Sequence, residues 1–118
     1  MERRVSPRTK VSVRMFIATA NVRHAVRCVE LSQTGLLVTA TKLLRESSWP
    51  YASAVLPLPN GHAKLLLRRV GRRERHLAYT IVAVDDASQE LLTDYLFDAM
   101  YAALPRRARA KRPVRRVA

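Results

Sequence analysis

The run Val22-Arg23-His24-Ala25-Val26-Arg27-Cys28-Val29-Glu30-Leu31, followed by Ser32-Gln33-Thr34-Gly35 and then Leu36-Leu37-Val38-Thr39-Ala40, decides the fold. Val22, His24, Val26 and Cys28 alternate with Arg23, Ala25 and Arg27, the period of two that belongs to a half-buried strand ending near Leu31. Ser32 to Gly35 reads as a turn, with Gly35 free to take positive φ. Leu36 to Ala40 is a short apolar strand. A strand, a tight turn and a second strand predict an antiparallel sheet.

Toward the N-terminus, Val11, Val13, Met15 and Ile17 face one way while Lys10, Ser12 and Arg14 face the other, which makes another strand. Asn21 is the turn between it and the next. Residues 1–8 are arginine-rich and contain Pro7, so an extended arm is expected, and 1–9 is taken as the candidate ligand-binding arm. Toward the C-terminus, Thr41 to Tyr51 admits a helical turn around Lys42–Glu46, broken by Trp49-Pro50. Ala52 to Leu58 reads as a strand. Pro59-Asn60-Gly61 follows as a hairpin turn, since Asn-Gly tolerates positive φ. Ala63 to Val70 is the return strand, Gly71 to Arg75 a charged turn, and Leu77 to Val84 the last strand. Asp86 stands three residues before Gln89, as in a capping box. Leu91, Leu92, Tyr95, Leu96, Ala99 and Met100 then recur at helical spacing until Pro105.

Six strands and a closing amphipathic helix predict a mainly β protein, an antiparallel closed or nearly closed sheet with the helix over one end or side. The 118 residues make one domain, placed at 1–104, and a basic tail at 105–118 expected to be disordered. No apolar run is long enough for a signal peptide or a membrane span, which predicts a cytoplasmic protein. Cys28 is the only cysteine and lies in an alternating strand, so a buried structural thiol is expected. His24, His62 and His76 make no ligand-spaced set, and no metal or cofactor is expected. No nucleophile elbow and no Gly-rich phosphate loop are present, so catalysis is not expected.

The formal charge is +13. Seven of the basic residues lie in the last thirteen positions, from Arg106 to Arg116, and setting them aside leaves fifteen basic residues against nine acidic. That remainder suits any anionic ligand. The tail itself is open to three readings: a solvated segment, a salt-sensitive contact with nucleic acid through residues 106–118, or a contact with an acidic protein or membrane surface. No aromatic residue follows Tyr101, so the tail offers no stacking platform.

Chemistry concentrates in two places: Arg3, Arg4 and Arg8 in the arm, and Glu30, Ser32 and Gly35 at the turn. An arginine fork matches O6 and N7 of guanine, pairs with phosphate and stacks on a base. A carboxylate accepts from the N1–H and N2–H₂ edge, a hydroxyl bonds phosphate or base, and glycine allows close approach of a backbone. The bland alternative is an exposed ion pair of Glu30 with Arg27 or Arg8.

The pattern Arg3-Arg4-x-x-x-Arg8 followed by Glu30-x-Ser32-x-x-Gly35 resembles the PilZ family, whose arm reads RxxxR and whose second motif reads (D/N)xSxxG. The resemblance covers about residues 3–104. It implies a six-stranded β-barrel that binds cyclic di-GMP and passes the signal to a partner protein. Arg4 and Arg8 would contact guanine and phosphate. Arg3 would favour a stacked ligand dimer, and Ser32 and Gly35 would line the floor. Glu30 departs from the pattern, one methylene longer than the family's acid. The alternatives carried beside this function are a ligand-free adaptor on the same scaffold and a nucleic-acid-binding protein acting through the tail.

Overall fold

The computed structural model describes residues 8–20 and 22–102. Arg3, Arg4, Asn21 and the 105–118 tail lie outside these residues. The strands are β1 (Thr9–Thr19), β2 (Val22–Leu31), β3 (Gly35–Thr39), β4 (Tyr51–Leu58), β5 (Gly61–Arg73) and β6 (His76–Val84), with helices α1 (Lys42–Arg45) and α2 (Asp86–Ala102). They close into an antiparallel barrel in the order β1-β2-β3-β6-β5-β4. The chain leaves β3 through α1 and starts again at β4, which returns to β1. That last seam is short, held by Phe16 opposite Val55, Ile17 opposite Ala54 and Ala18 opposite Ser53.

Period-two alternation sorts the side chains. Met15 and Ile17 of β1, Val26 and Cys28 of β2, Leu36 and Val38 of β3 and the even positions of β4 face the interior. Leu65, Leu67, Leu77 and Tyr79 complete the core from β5 and β6. Val22 breaks the expected alternation, being exposed at the start of its strand. His24 is buried in the expected place, its Nε2 3.0 Å from the Thr19 hydroxyl, so the imidazole is a partnered core group.

Several local expectations are revised. β1 begins at Thr9, which pairs with Leu31, so the arm is shorter than 1–9 by that residue. The hairpin turn between β4 and β5 consists of Pro59 and Asn60, with Leu58 opposite Gly61. Positive φ falls on Gly61 at 150°, and a Cβ there would meet Leu91 of α2 at 3.0 Å. β5 runs through Gly71 to Arg73: Val70 is the extra residue at a register shift, and Gly71 stays in the ladder opposite Ala78. The turn that follows centres on Glu74, at φ 55°.

Helix α2 starts one residue earlier than the capping box implied. Asp85 Oδ1 accepts from the Ser88 amide at 2.7 Å, so Asp85 is the cap, and this bond holds its carboxyl below the usual range. Ser88 is buried and its Oγ accepts the Lys64 amide at 2.8 Å, ahead of the point where β5 joins β6. Leu92 and Leu96 then enter the core against β5, β1 and β4. At α1, Thr41 caps the first turn, and Arg69 donates to the carbonyls of Leu44 at 2.6 Å and Ser47 at 2.9 Å. That clamp fixes the β3–β4 connection from inside β5.

Candidate ligand site

Glu30 faces outward because of a bulge. The inward set of β2 runs His24, Val26, Cys28, and strict alternation would put Glu30 inside. In the pairing with β3, Cys28 lies opposite Val38 and Glu30 opposite Leu37, so Val29 is the extra residue. The parity then resets: Leu31 is fully buried, and the Glu30 side chain is 30% exposed. The strand β1 adjusts at the same level, with Lys10 opposite Glu30 and Val13 opposite Cys28. Inside this kink, the Cys28 thiol donates to the Glu30 carbonyl at 3.3 Å, and burial pushes its pKa up to about 12. A neutral, inert thiol results.

Arg8 comes to Glu30 from just ahead of β1. Its Nη1 donates to Glu30 Oε1 at 3.4 Å, with the Arg8 side chain 47% exposed. The pair is long and half-solvated, so its contribution to stability is at most about 1 kcal/mol. The neighbouring outward positions are Lys10, Ser12 and Arg27, with Arg27 donating to the Ser12 hydroxyl at 2.7 Å. Of the two bland partners for Glu30, the structure therefore takes Arg8, and Arg27 turns to Ser12.

Two residues further along, the turn is built from backbone. The Ser32 amide donates to the Gly35 carbonyl at 2.9 Å, and Ser32 Oγ accepts the amides of Thr34 at 3.2 Å and Gly35 at 3.1 Å. Ser32 is buried, so its hydroxyl serves the turn before any ligand. The Thr34 carbonyl accepts the Ile81 amide at 2.8 Å, which fastens the turn to β6.

Gly35 is needed for a different reason from the one expected. It does not take positive φ. It sits in the β3–β6 ladder opposite Thr80, and a Cβ would lie 2.6 Å from the Tyr79 carbonyl oxygen. The glycine therefore permits the close approach of β6.

The structure thus brings Arg8, Glu30, Ser32 and Gly35 to one end of the barrel. Arg3 and Arg4 lie outside the described residues. Ser12 and Arg27 are additional polar groups that the sequence did not single out. Their outward parity was legible, but their pairing across β1 and β2 depends on the bulge. Among the described residues the outer rim offers one carboxylate, Glu30, and several cations, all solvent-accessible, over the turn. Among the described residues no group of three or more His, Cys, Asp or Glu side chains could hold a metal ion, and no helix is long and apolar enough to cross a membrane.

No family model matches the chain, and no curated protein is detectably similar to it in sequence. Among solved structures, the inhibitor of motility MotI/DgrA of Bacillus subtilis superposes with a TM-score of 0.69 at 17% identity. The match covers 88% of this chain and 54% of that one, so this chain spans about half the length of the protein it resembles. The closed six-stranded barrel with its C-terminal helix is PilZ-like, as the motif resemblance implied.

Proposed function

We propose that this chain is a PilZ-type effector domain that binds cyclic di-GMP at the rim beside β1 and β2 and acts on a partner protein. The observation that carries this reading is the meeting of Arg8 and Glu30 at 3.4 Å, across 22 residues of sequence, beside a turn fixed by Ser32. A guanine offers acceptors on one edge and donors on the other. An arginine and a carboxylate held side by side match both kinds of edge. In the free protein the two side chains partly satisfy each other through a weak, hydrated contact. A dinucleotide with two phosphates replaces that contact by charge-assisted bonds to arginine and by donors to the carboxylate.

The arm supplies the rest. Arg4 is assigned to guanine and phosphate beside Arg8, and Arg3 to a second, stacked nucleotide. The excess positive charge of the chain favours approach of the anionic ligand. Folding the arm over the nucleotide changes the surface at the barrel rim, and this is the change a partner reads. Likeness to an inhibitor of motility supports an effector that works through another protein.

Calorimetric titration of cyclic di-GMP into wild type, Arg8→Ala and a chain truncated at Pro105 tests the assignment. Saturable heat in wild type and the truncated chain, lost in Arg8→Ala, is expected. No heat with wild type at millimolar nucleotide overturns the reading. So does binding that follows the tail and ignores Arg8, a result that would favour nucleic-acid contact through residues 106–118.

A further inference from the structure

Away from the rim, the outward residues of neighbouring strands line up into two rows. The first runs Ala25, Phe16, Val55 and Lys64 across β2, β1, β4 and β5. The second runs Arg23, Ala18, Ser53, Leu66 and Ala83, and so reaches β6. Both rows line one open groove of about 1530 Å³ on the outside of the barrel. Its form follows from side-chain size. Alanines and Ser53 make the floor, while Phe16, Val55 and Leu66 stand up from it, 49%, 44% and 43% exposed. Single exposed apolar residues are ordinary; a continuous set across several strands with a polar rim is a mark of an interaction surface.

The rim is cationic. Arg23 lies over the Phe16 ring at 4.4 Å, and Lys64 closes the first row. Arg14 and Arg27 stand directly opposite each other across β1 and β2, an arrangement that costs stability when nothing neutralises it. Among the described residues none of these four cations forms an ion pair. Among the described residues the one acid in the lining is Asp85, whose carboxylate accepts the Ser88 amide and also feels the charge of Lys64.

Charge selects among the possible occupants. A second copy of a +13 chain is repelled by this rim, and so is the chain's own tail, which has no acid after Pro105. Nucleic acid would use the cations but leave the apolar floor without a partner, and a flat membrane surface cannot follow a concave floor. We infer that the groove docks an acidic protein segment presenting apolar side chains, seated along the Phe16, Val55 and Leu66 rows with its carboxylates on Arg23 and Lys64. The inference supplies the partner half of the reading above. It does not depend on the nucleotide half.

The probe is a synthetic amphipathic peptide of Leu, Phe and Glu, roughly 18 residues long with a net charge of about −6, followed by fluorescence anisotropy. Wild type is expected to bind it with salt-sensitive affinity, with amide shifts in NMR spectra confined to the two rows. Leu66→Ser and the double variant Arg23→Glu/Lys64→Glu should each weaken binding about tenfold or more, whereas Val70→Ser, more exposed still but outside the groove, should not. Arg8→Ala should bind the peptide as wild type does, so loss of nucleotide binding and loss of docking are separable. The proposal fails if wild type does not bind the peptide or if Leu66→Ser is silent. It also fails if a single-stranded oligonucleotide or an anionic vesicle displaces the peptide and is itself indifferent to Leu66→Ser, or if the chain dimerises through this face.

Discussion

Glu30 and Ser32 stand two residues apart at the end of one strand and meet different surroundings. Ser32 is 5% exposed, and its hydroxyl takes two backbone amides of its own turn. The Glu30 side chain is 30% exposed, and its carboxylate meets Arg8 at 3.4 Å. On the proposed reading, one half of the motif is scaffold, committed before a ligand arrives, and the other half is contact surface, held loosely enough to be exchanged. The same division separates Gly35 from Arg8. Substitutions in the scaffold half should register in unfolding experiments, and substitutions in the contact half in binding experiments.

The largest effect is expected at Gly35. In Gly35→Ala the new methyl meets the Tyr79 carbonyl, a backbone atom that cannot rotate aside. The β3–β6 seam must part or distort, at a cost of roughly 2–3 kcal/mol, read as a lower urea midpoint. An unchanged midpoint would show that glycine is there for ligand access, and would break the division between the halves. Arg8→Ala should give the opposite signature. Loss of a half-solvated pair changes stability by less than about 1 kcal/mol. Loss of a charged donor to the nucleotide weakens binding roughly 10–100-fold. A variant that lost stability and kept affinity would make Arg8 structural.

Ser32→Ala is intermediate. The amides of Thr34 and Gly35 lose a shared acceptor in a buried place, which should cost about 1–2 kcal/mol in thermal or urea unfolding. If Ser32 acts only through the turn, binding should recover at low temperature or in stabilising osmolyte, where the turn is held shut. Binding that stays weak in a fully folded Ser32→Ala protein would assign the hydroxyl a direct contact with the ligand.

Most of the barrel was legible because it depends on parity alone. Val11 to Ile17, His24 to Cys28 and Ala52 to Leu58 alternate without interruption, and the structure keeps them so. The closing helix was legible from Leu92 and Leu96. What escaped was set by single-residue irregularities. The bulge at Val29 has no composition signal, yet it decides that Glu30 faces Arg8 and that Arg27 reaches Ser12. Gly35 announced a turn, but its need came from Tyr79, more than forty residues away, and no local rule reports such a clash. Gly71 suggested a break and instead stays paired with Ala78, just past a register shift at Val70. Asp86, three before Gln89, read as the cap; Asp85 serves instead, its carboxylate taking the amide of Ser88, whose hydroxyl is tied to Lys64. The groove was hidden for a related reason. Its rows combine β1 with β4 and β5, and that adjacency follows from the barrel order rather than from any one strand.

Glu30→Asp gives the smallest and sharpest test of the contact half. The second motif differs from the pattern it resembles in the length of this acid, and the backbone there is set by the bulge at Val29, next to the Lys10–Glu30 pair. Shortening the side chain draws the carboxylate back by one methylene and abolishes an Arg8 contact that is already 3.4 Å long. Stability should change by no more than a few tenths of a kcal/mol, because the contact is solvated. With the internal pair gone and fewer rotamers to order, cyclic di-GMP should bind about threefold more tightly, which calorimetry resolves. A fall in affinity would place the guanine edge beyond reach of the shorter acid. The bulge and the extra methylene would then be a matched pair, the one turning the carboxylate outward and the other carrying it to the ligand.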